Sequence, residues 1–186
     1  MIPEEVVEIV LNRLEECNIE YMIVGSFASS LYGIPRVTQD ADIVIRTNAV
    51  TLREFVSGLQ KEFYADENMA IESLRHKSMF NLIHLNEGFK VDLIFLKDRP
   101  YSAEQFPRRR KAALLGKQRW FASPEDTILA KLEWSALSES ERQFNDATTV
   151  AEVQKDKLDL LYLKSWAYQL NIEKSLQKLF TVIGEN

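Results

Sequence analysis

Apolar residues near the start of the chain recur every three or four positions, at Val6, Val7, Val10, Leu11 and Leu14. That spacing predicts an amphipathic helix over about residues 3–17, with Pro3 suited to its first turn. The period then changes. "YMIVGS" and "ADIVIRT" carry near-continuous apolar runs of strand length, which suits strands buried on both faces. Between them "ASSLYG" predicts a short helix closed by Gly33. "AVTLREFVSGLQKEF" returns to helical spacing through Leu52, Phe55, Val56 and Leu59. "FNLIHLNEGFKVDLIFL" predicts two strands joined by a turn at Asn86-Glu87-Gly88. The order helix, strand, helix, strand, helix, strand, strand gives an α+β (α/β-like) domain, with a small mixed β-sheet flanked by helices.

From about residue 101 the texture shifts. "FPRRRKAALLGKQRWFA" holds Arg108, Arg109, Arg110, Lys111, Lys117 and Arg119 and no acid, and predicts a hairpin turning at Gly116-Lys117. "SPEDTILAKLEW" opens with a capping serine, Ser123, a proline suited to the first turn, and Asp126 to complete a capping box. Three or four amphipathic helices follow to Phe180. The expected organisation is a sheet-bearing domain over 1–122 and a helical C-terminal region over 123–186 packed on it. The chain has no internal repeat, low-complexity tract or Gly/Ser linker.

The second apolar run contains a conflict. Asp40 and Asp42 are two apart in a strand, so their carboxylates point to one face and repel. A divalent cation such as Mg²⁺ resolves this, because hard cations take carboxylate oxygens together with substrate phosphates. Asp92 in "KVDLIFL" adds a third acid on a strand that could lie alongside. Gly25-Ser26, between strand and helix, lets a phosphate approach the backbone and offers it a hydroxyl and helix N-terminal N–H groups. The plainer readings are a solvent-facing pair offset by Arg36 or Arg46, an Asp92 paired with Lys90 or Lys97, and a simple serine cap. Arg36, just ahead of the acids, either neutralises one of them or meets a phosphate.

Composition narrows the field. Hydrophobic content of 46% and charged content of 27% across 186 residues are those of a globular protein. The net charge of -5 argues against broad, unspecific nucleic-acid binding. One cysteine, Cys17, excludes an internal disulfide framework. With no membrane-length apolar run and no basic leader, a cytoplasmic protein is expected. His76 and His84 lack ligand-spaced partners, so a zinc site is not expected.

"GSFASSLYGIPRVTQDADIVI" resembles the Gly-Ser…Asp-x-Asp signature of the polymerase-β-like nucleotidyltransferase superfamily. With "SPEDTILAKLEW" and "ERQFNDATTV", the stretch over about residues 20–155 resembles the AbiEii-type nucleotidyltransferase toxins and their uncharacterised relatives. The resemblance implies a nucleotidyltransferase fold and an activity: Mg²⁺-dependent (or Mn²⁺-dependent) transfer of a nucleoside monophosphate from a nucleoside triphosphate to an acceptor hydroxyl. It implies Gly25 and Ser26 on the triphosphate and Asp40 and Asp42 on the metal. Asp92 becomes a base, a further metal ligand, or neither. It adds Lys131, as a phosphate-binding charge, and Asp146, as a base or an orienting group. The tRNA 3′ end, reached through Arg108, Arg109, Arg110 and Lys111, is the first acceptor implied, with a separate antitoxin protein as partner. An antibiotic-modifying enzyme and a non-catalytic nucleotide sensor or antitoxin-like member are the alternatives.

Overall fold

The computed structural model describes residues 1–184. In chain order the elements are α1 (Pro3–Glu16), β1 (Glu20–Val24), α2 (Gly25–Tyr32), β2 (Asp40–Arg46), α3 (Ala49–Leu59), β3 (Phe63–Tyr64), α4 (Glu67–Arg75), β4 (Met79–His84) and β5 (Lys90–Phe95). Then come α5 (Pro100–Gln105), β6 (Arg110–Leu114), β7 (Lys117–Phe121), α6 (Pro124–Ser138), α7 (Glu141–Gln154), α8 (Leu160–Gln169) and α9 (Glu173–Val182). They fall into two compact units. One comprises residues 1–24 and 38–121; the other comprises 25–37 and the chain from Ala122 on.

The first unit holds a seven-stranded mixed sheet in the order β3-β4-β5-β2-β1-β7-β6. β2 is antiparallel to β1 and parallel to β5, and β4 returns antiparallel to β5. Alternation decides what each strand face carries. Ala41, Ile43 and Ile45 of β2, with Val91, Leu93 and Phe95 of β5, form one fully buried face. The other face carries Asp40 and Asp42 on β2 and Lys90 and Asp92 on β5. The apolar positions of α1 and of α3 (Leu52, Phe55, Val56, Leu59) are buried as their periodicity predicts. Asn48 Oδ1 caps α3 by accepting from the Val50 and Thr51 N–H groups at 3.0 and 3.1 Å.

The predicted strands and hairpins form within a residue or two of their expected limits. Three elements lack a sequence signal. α4 buries only Ala70 and Ile71, too few for a visible stripe, and is started by an Asp66 cap on the Met69 N–H. β3 is two residues long and α5 six. α2 also starts three residues earlier than expected, at Gly25 itself. Its φ of +60° turns the chain straight from β1 into the helix, a backbone state that costs other residues about 1–2 kcal/mol.

The second unit is helical. α2 lies against α6 and α7. Gly33 makes the approach to α7 possible: a Cβ there would stand 2.9 Å from Thr149 Oγ1 and 3.0 Å from the Val150 nitrogen. Gln154 Nε2 donates to the Tyr32 carbonyl at 2.9 Å beside it. Ser123 caps α6 as predicted, accepting from the Asp126 N–H at 3.1 Å. The Asp126 carboxylate closes the cap differently from a capping box, accepting from the Ser123 hydroxyl and from Tyr162 OH, both at 2.7 Å. Glu125 accepts from the Asp159 N–H at 3.1 Å. The two buried acids of "SPED" therefore fasten the start of α8 to the start of α6.

Candidate active site

Two groups of polar side chains carry the candidate residues, one in each unit. In the sheet unit, strand register builds the first. Asp40 of β2 pairs with Lys90 of β5, and Asp42 with Asp92; Asn81 of β4 then pairs with Asp92 on the far side. Residues two apart share a face, so three carboxylates, one ammonium and one amide form a patch on adjacent strands. Asp92 is buried. Its Oδ2 accepts from Lys90 Nζ at 2.8 Å and its Oδ1 from Asn81 Nδ2. The Thr38 hydroxyl lies 3.2 Å from Asp40 Oδ1. The hydrogen bond to Asp92, reinforced by the charges of Asp40 and Asp42, holds the Lys90 ammonium above its ordinary pKa against the opposing effect of burial.

Among the described residues no three His, Cys, Asp or Glu side chains are arranged as a metal-holding group. The donor chemistry still fits a hard cation. Mg²⁺ takes one or two carboxylates and completes its octahedron with water and phosphate oxygens, and Asp40 and Asp42 are such a pair. Three carboxylates share this face with one ammonium, that of Lys90.

In the helical unit, Arg36 is the centre of the second group. Its Nε donates to Asp146 Oδ1 at 3.1 Å and its Nη2 to Asp146 Oδ2 at 3.0 Å, a two-pronged pairing across 110 residues of sequence. The same Nη2 donates to Ser26 Oγ at 2.7 Å. Lys131 Nζ donates to Asp146 Oδ2 at 2.8 Å, and both Lys131 and Asp146 are buried. Burial alone would raise the Asp146 pKa. The hydrogen bonds from Arg36 and Lys131 outweigh it and hold the carboxyl below the usual carboxylate range. One carboxylate with two cations is a positive group, and Ser26 lies within it at the start of α2.

The structure thus brings Asp40, Asp42 and Asp92 onto one face, and Ser26, Arg36, Lys131 and Asp146 into one network with Gly25 next to it in the chain. The Lys90–Asp92 pairing is the plainer of the readings expected for Asp92; Asn81 was not expected to shape the acid face. The signal for Lys90 was present in its two-residue offset from Asp92; Asn81 needed the strand register.

The basic run behaves otherwise. Arg109 pairs with Glu20 at 3.1 Å, and its guanidinium lies over the rings of Phe106 and Trp120 at 4.5 and 5.0 Å. Lys111 Nζ is 5.0 Å from the Trp120 ring centre, and Lys117 Nζ lies 2.6 Å from Glu8 Oε1. Arg119 is buried against Glu15 at 2.6 Å. Arg108 and Arg110 also have partners within the chain. Cys17 is buried, and burial pushes its thiol pKa up, which suits a packed side chain rather than a nucleophile. Among the described residues no helix is long and apolar enough to cross a membrane.

No protein-family model matches the chain, and no curated protein matches it in sequence. Solved structures do match in shape. A nucleotidyltransferase-like protein from Paracoccidioides brasiliensis aligns with a TM-score of 0.56 at 17% identity, over 80% of this chain and 73% of its own. The lincosamide adenylyltransferase LnuA, bound to lincomycin, aligns at 0.55 and 13% over 79% and 95%. The antibiotic-resistance factor ANT(2'')-Ia aligns at 0.52 and 13% over 97% and 94%. The mixed sheet and its helices are therefore those of the nucleotidyltransferase fold.

Proposed function

We propose that the protein is a Mg²⁺-dependent (or Mn²⁺-dependent) nucleotidyltransferase that moves a nucleoside monophosphate from a nucleoside triphosphate to an acceptor hydroxyl. The observation that carries this reading is the acid face, where Asp40 and Asp42 share one side of β2 with Asp92 alongside on β5. Asp40 and Asp42 hold the metal. When bound, the ion supplies Lewis-acid charge at the α-phosphate and to the departing pyrophosphate. Gly25 and Ser26 take the triphosphate, with backbone N–H groups and a hydroxyl at the start of α2. Arg36 and Lys131 add positive charge to it.

The acceptor oxygen bonds to the α-phosphorus as the bridging bond to the β-phosphate breaks, and pyrophosphate leaves. The hydroxyl proton goes to a carboxylate; Asp92, paired with one cation, is held less firmly in its ionised form than Asp146, paired with two, and is the better acceptor of the pair. Asp146, kept ionised by two cations, orients Arg36 and Lys131 instead.

For the acceptor, the tRNA 3′ end is one reading, with a toxin–antitoxin setting and a separate antitoxin protein. A small hydroxyl-bearing molecule is the other, and a specific observation favours it. The basic residues Arg108, Arg109, Arg110 and Lys111 all have partners within the chain, which weakens them as an RNA-binding stripe. Two of the structural neighbours are, by their descriptions, an antibiotic adenylyltransferase and an antibiotic-resistance factor.

The test is incubation with Mg²⁺ and each of four α-³²P nucleoside triphosphates, offering either total tRNA or a panel of aminoglycosides and lincosamides. The Asp40→Ala/Asp42→Ala double variant is the control. Label on a small molecule, lost in the control, supports the favoured reading; label on tRNA moves the acceptor to RNA. Metal-dependent nucleotide binding without transfer to any acceptor would leave the sensor alternative.

A further inference from the structure

We propose that Lys90 stands in for a second metal ion, so that the acid face binds one divalent cation and not two. The inference rests on the nucleotidyl-transfer reading above. Two-metal phosphoryl-transfer sites place their ions about 3.5–4 Å apart and need carboxylates for both. Asp40 and Asp42 suffice for one ion, and a second would have to recruit Asp92.

Asp92 is already engaged. One carboxylate oxygen accepts from Lys90 Nζ at 2.8 Å and the other from Asn81 Nδ2. The carboxylate is also buried, at 7% side-chain exposure, which restricts approach by a hydrated ion. The arrangement is built into the sheet, since Asn81 and Asp92 are register partners across β4 and β5, and Lys90 sits opposite Asp40 across β5 and β2. Both Asp40 and Asp42 act electrostatically on the Lys90 ammonium. A second divalent ion at Asp92 would displace that ammonium from its partner and face it at short range, where like charges repel strongly. A fixed ammonium also supplies positive charge without having to be recruited from solution.

The experiment counts bound Mn²⁺ on the full chain by electron paramagnetic resonance of the free ion, with Mn²⁺ as the only ligand. Wild type is expected to bind one ion per chain. Lys90→Met, and Lys90→Gln, which keeps a donor for Asp92 without the charge, are expected to bind two, the second at least tenfold more tightly than wild type does. Asp92→Asn is expected to keep the single ion with its affinity changed less than threefold. Two ions in wild type, or one in folded Lys90→Gln, would overturn the role of Lys90 and leave nucleotidyl transfer standing. Loss of the single ion in Asp92→Asn would overturn it as well. No bound Mn²⁺ in wild type, at concentrations up to the millimolar range, would overturn the single-ion site and with it the role of Lys90, leaving nucleotidyl transfer to the labelling experiment above.

Discussion

The acid face of β2 and β5 and the Arg36 network of the helical unit are built from the same side-chain types in opposite proportions. On the sheet, three carboxylates share one ammonium; in the helices, two cations share one carboxylate. The first is left negative and the second positive. In the second, hydrogen bonds from both cations hold Asp146 below the ordinary carboxylate range. The contrast teaches how to separate a group kept for ligand from one that also holds the fold. An imbalance tolerated on a strand face calls for a partner from outside, whereas a closed buried network is a structural fastening even when it also meets substrate.

Removing each group should therefore have different consequences. The largest effect is expected from Asp40→Ala/Asp42→Ala: transfer activity falls by about a thousandfold or more, roughly 4 kcal/mol of transition-state stabilisation. Thermal unfolding should hold its midpoint or move up, since two like charges have been separated. A lower midpoint would mean that the acid face is also a fastening, and would break the comparison. Asp146→Ala should do the reverse, costing about 3–5 kcal/mol of stability in urea unfolding, because it strands a buried Lys131 opposite Arg36. A loss below about 1 kcal/mol would show that the network does little for the fold.

Gly33→Ala should cost about 1–3 kcal/mol by forcing α2 and α7 apart, without touching either charged group. It calibrates how much of the Asp146 effect is packing alone. The smallest effect is a pH dependence. The folded pKa of Asp146 is depressed, so its stabilisation is complete above the unfolded aspartate value of about 3.9 and fades as pH falls through the folded value. Wild type and Asp146→Asn should differ in unfolding midpoint near neutral pH and converge in acid. A constant difference across that range would separate the network's stability from its charge.

What could be read in the chain follows the range of each signal. The helices and strands with a local hydrophobic period were legible, and so was the shared face of Asp40 and Asp42, because i and i+2 in a strand need no tertiary information. Asp92 could be proposed as a third acid, but its alignment with Asp42 depends on parallel pairing across about fifty residues. Arg36 and Asp146 meet over a longer separation, so the sequence alone left Arg36 undecided between an acid and a phosphate. α4 was missed for another reason: with two buried residues its helix rests on a cap and on neighbours, not on a stripe. Basic residues at 108–119 were easy to see, yet the partners of Arg109, Lys117 and Arg119 (Glu20, Glu8 and Glu15) belong to the first twenty positions, too far along the chain for the pairing to be read from sequence.

That basic segment has one more consequence. β6 ends the sheet on one side and the two-residue β3 ends it on the other. A border of unpaired backbone groups invites another chain to extend the ladder, and it is discouraged by brevity or by charge. The border at β3 is nearly too short to offer a template, and β6 begins with Arg110 and Lys111. A second molecule approaching in the same orientation would bring cation against cation. The segment that first suggests a nucleic-acid ligand thus also places charge along one border of the sheet.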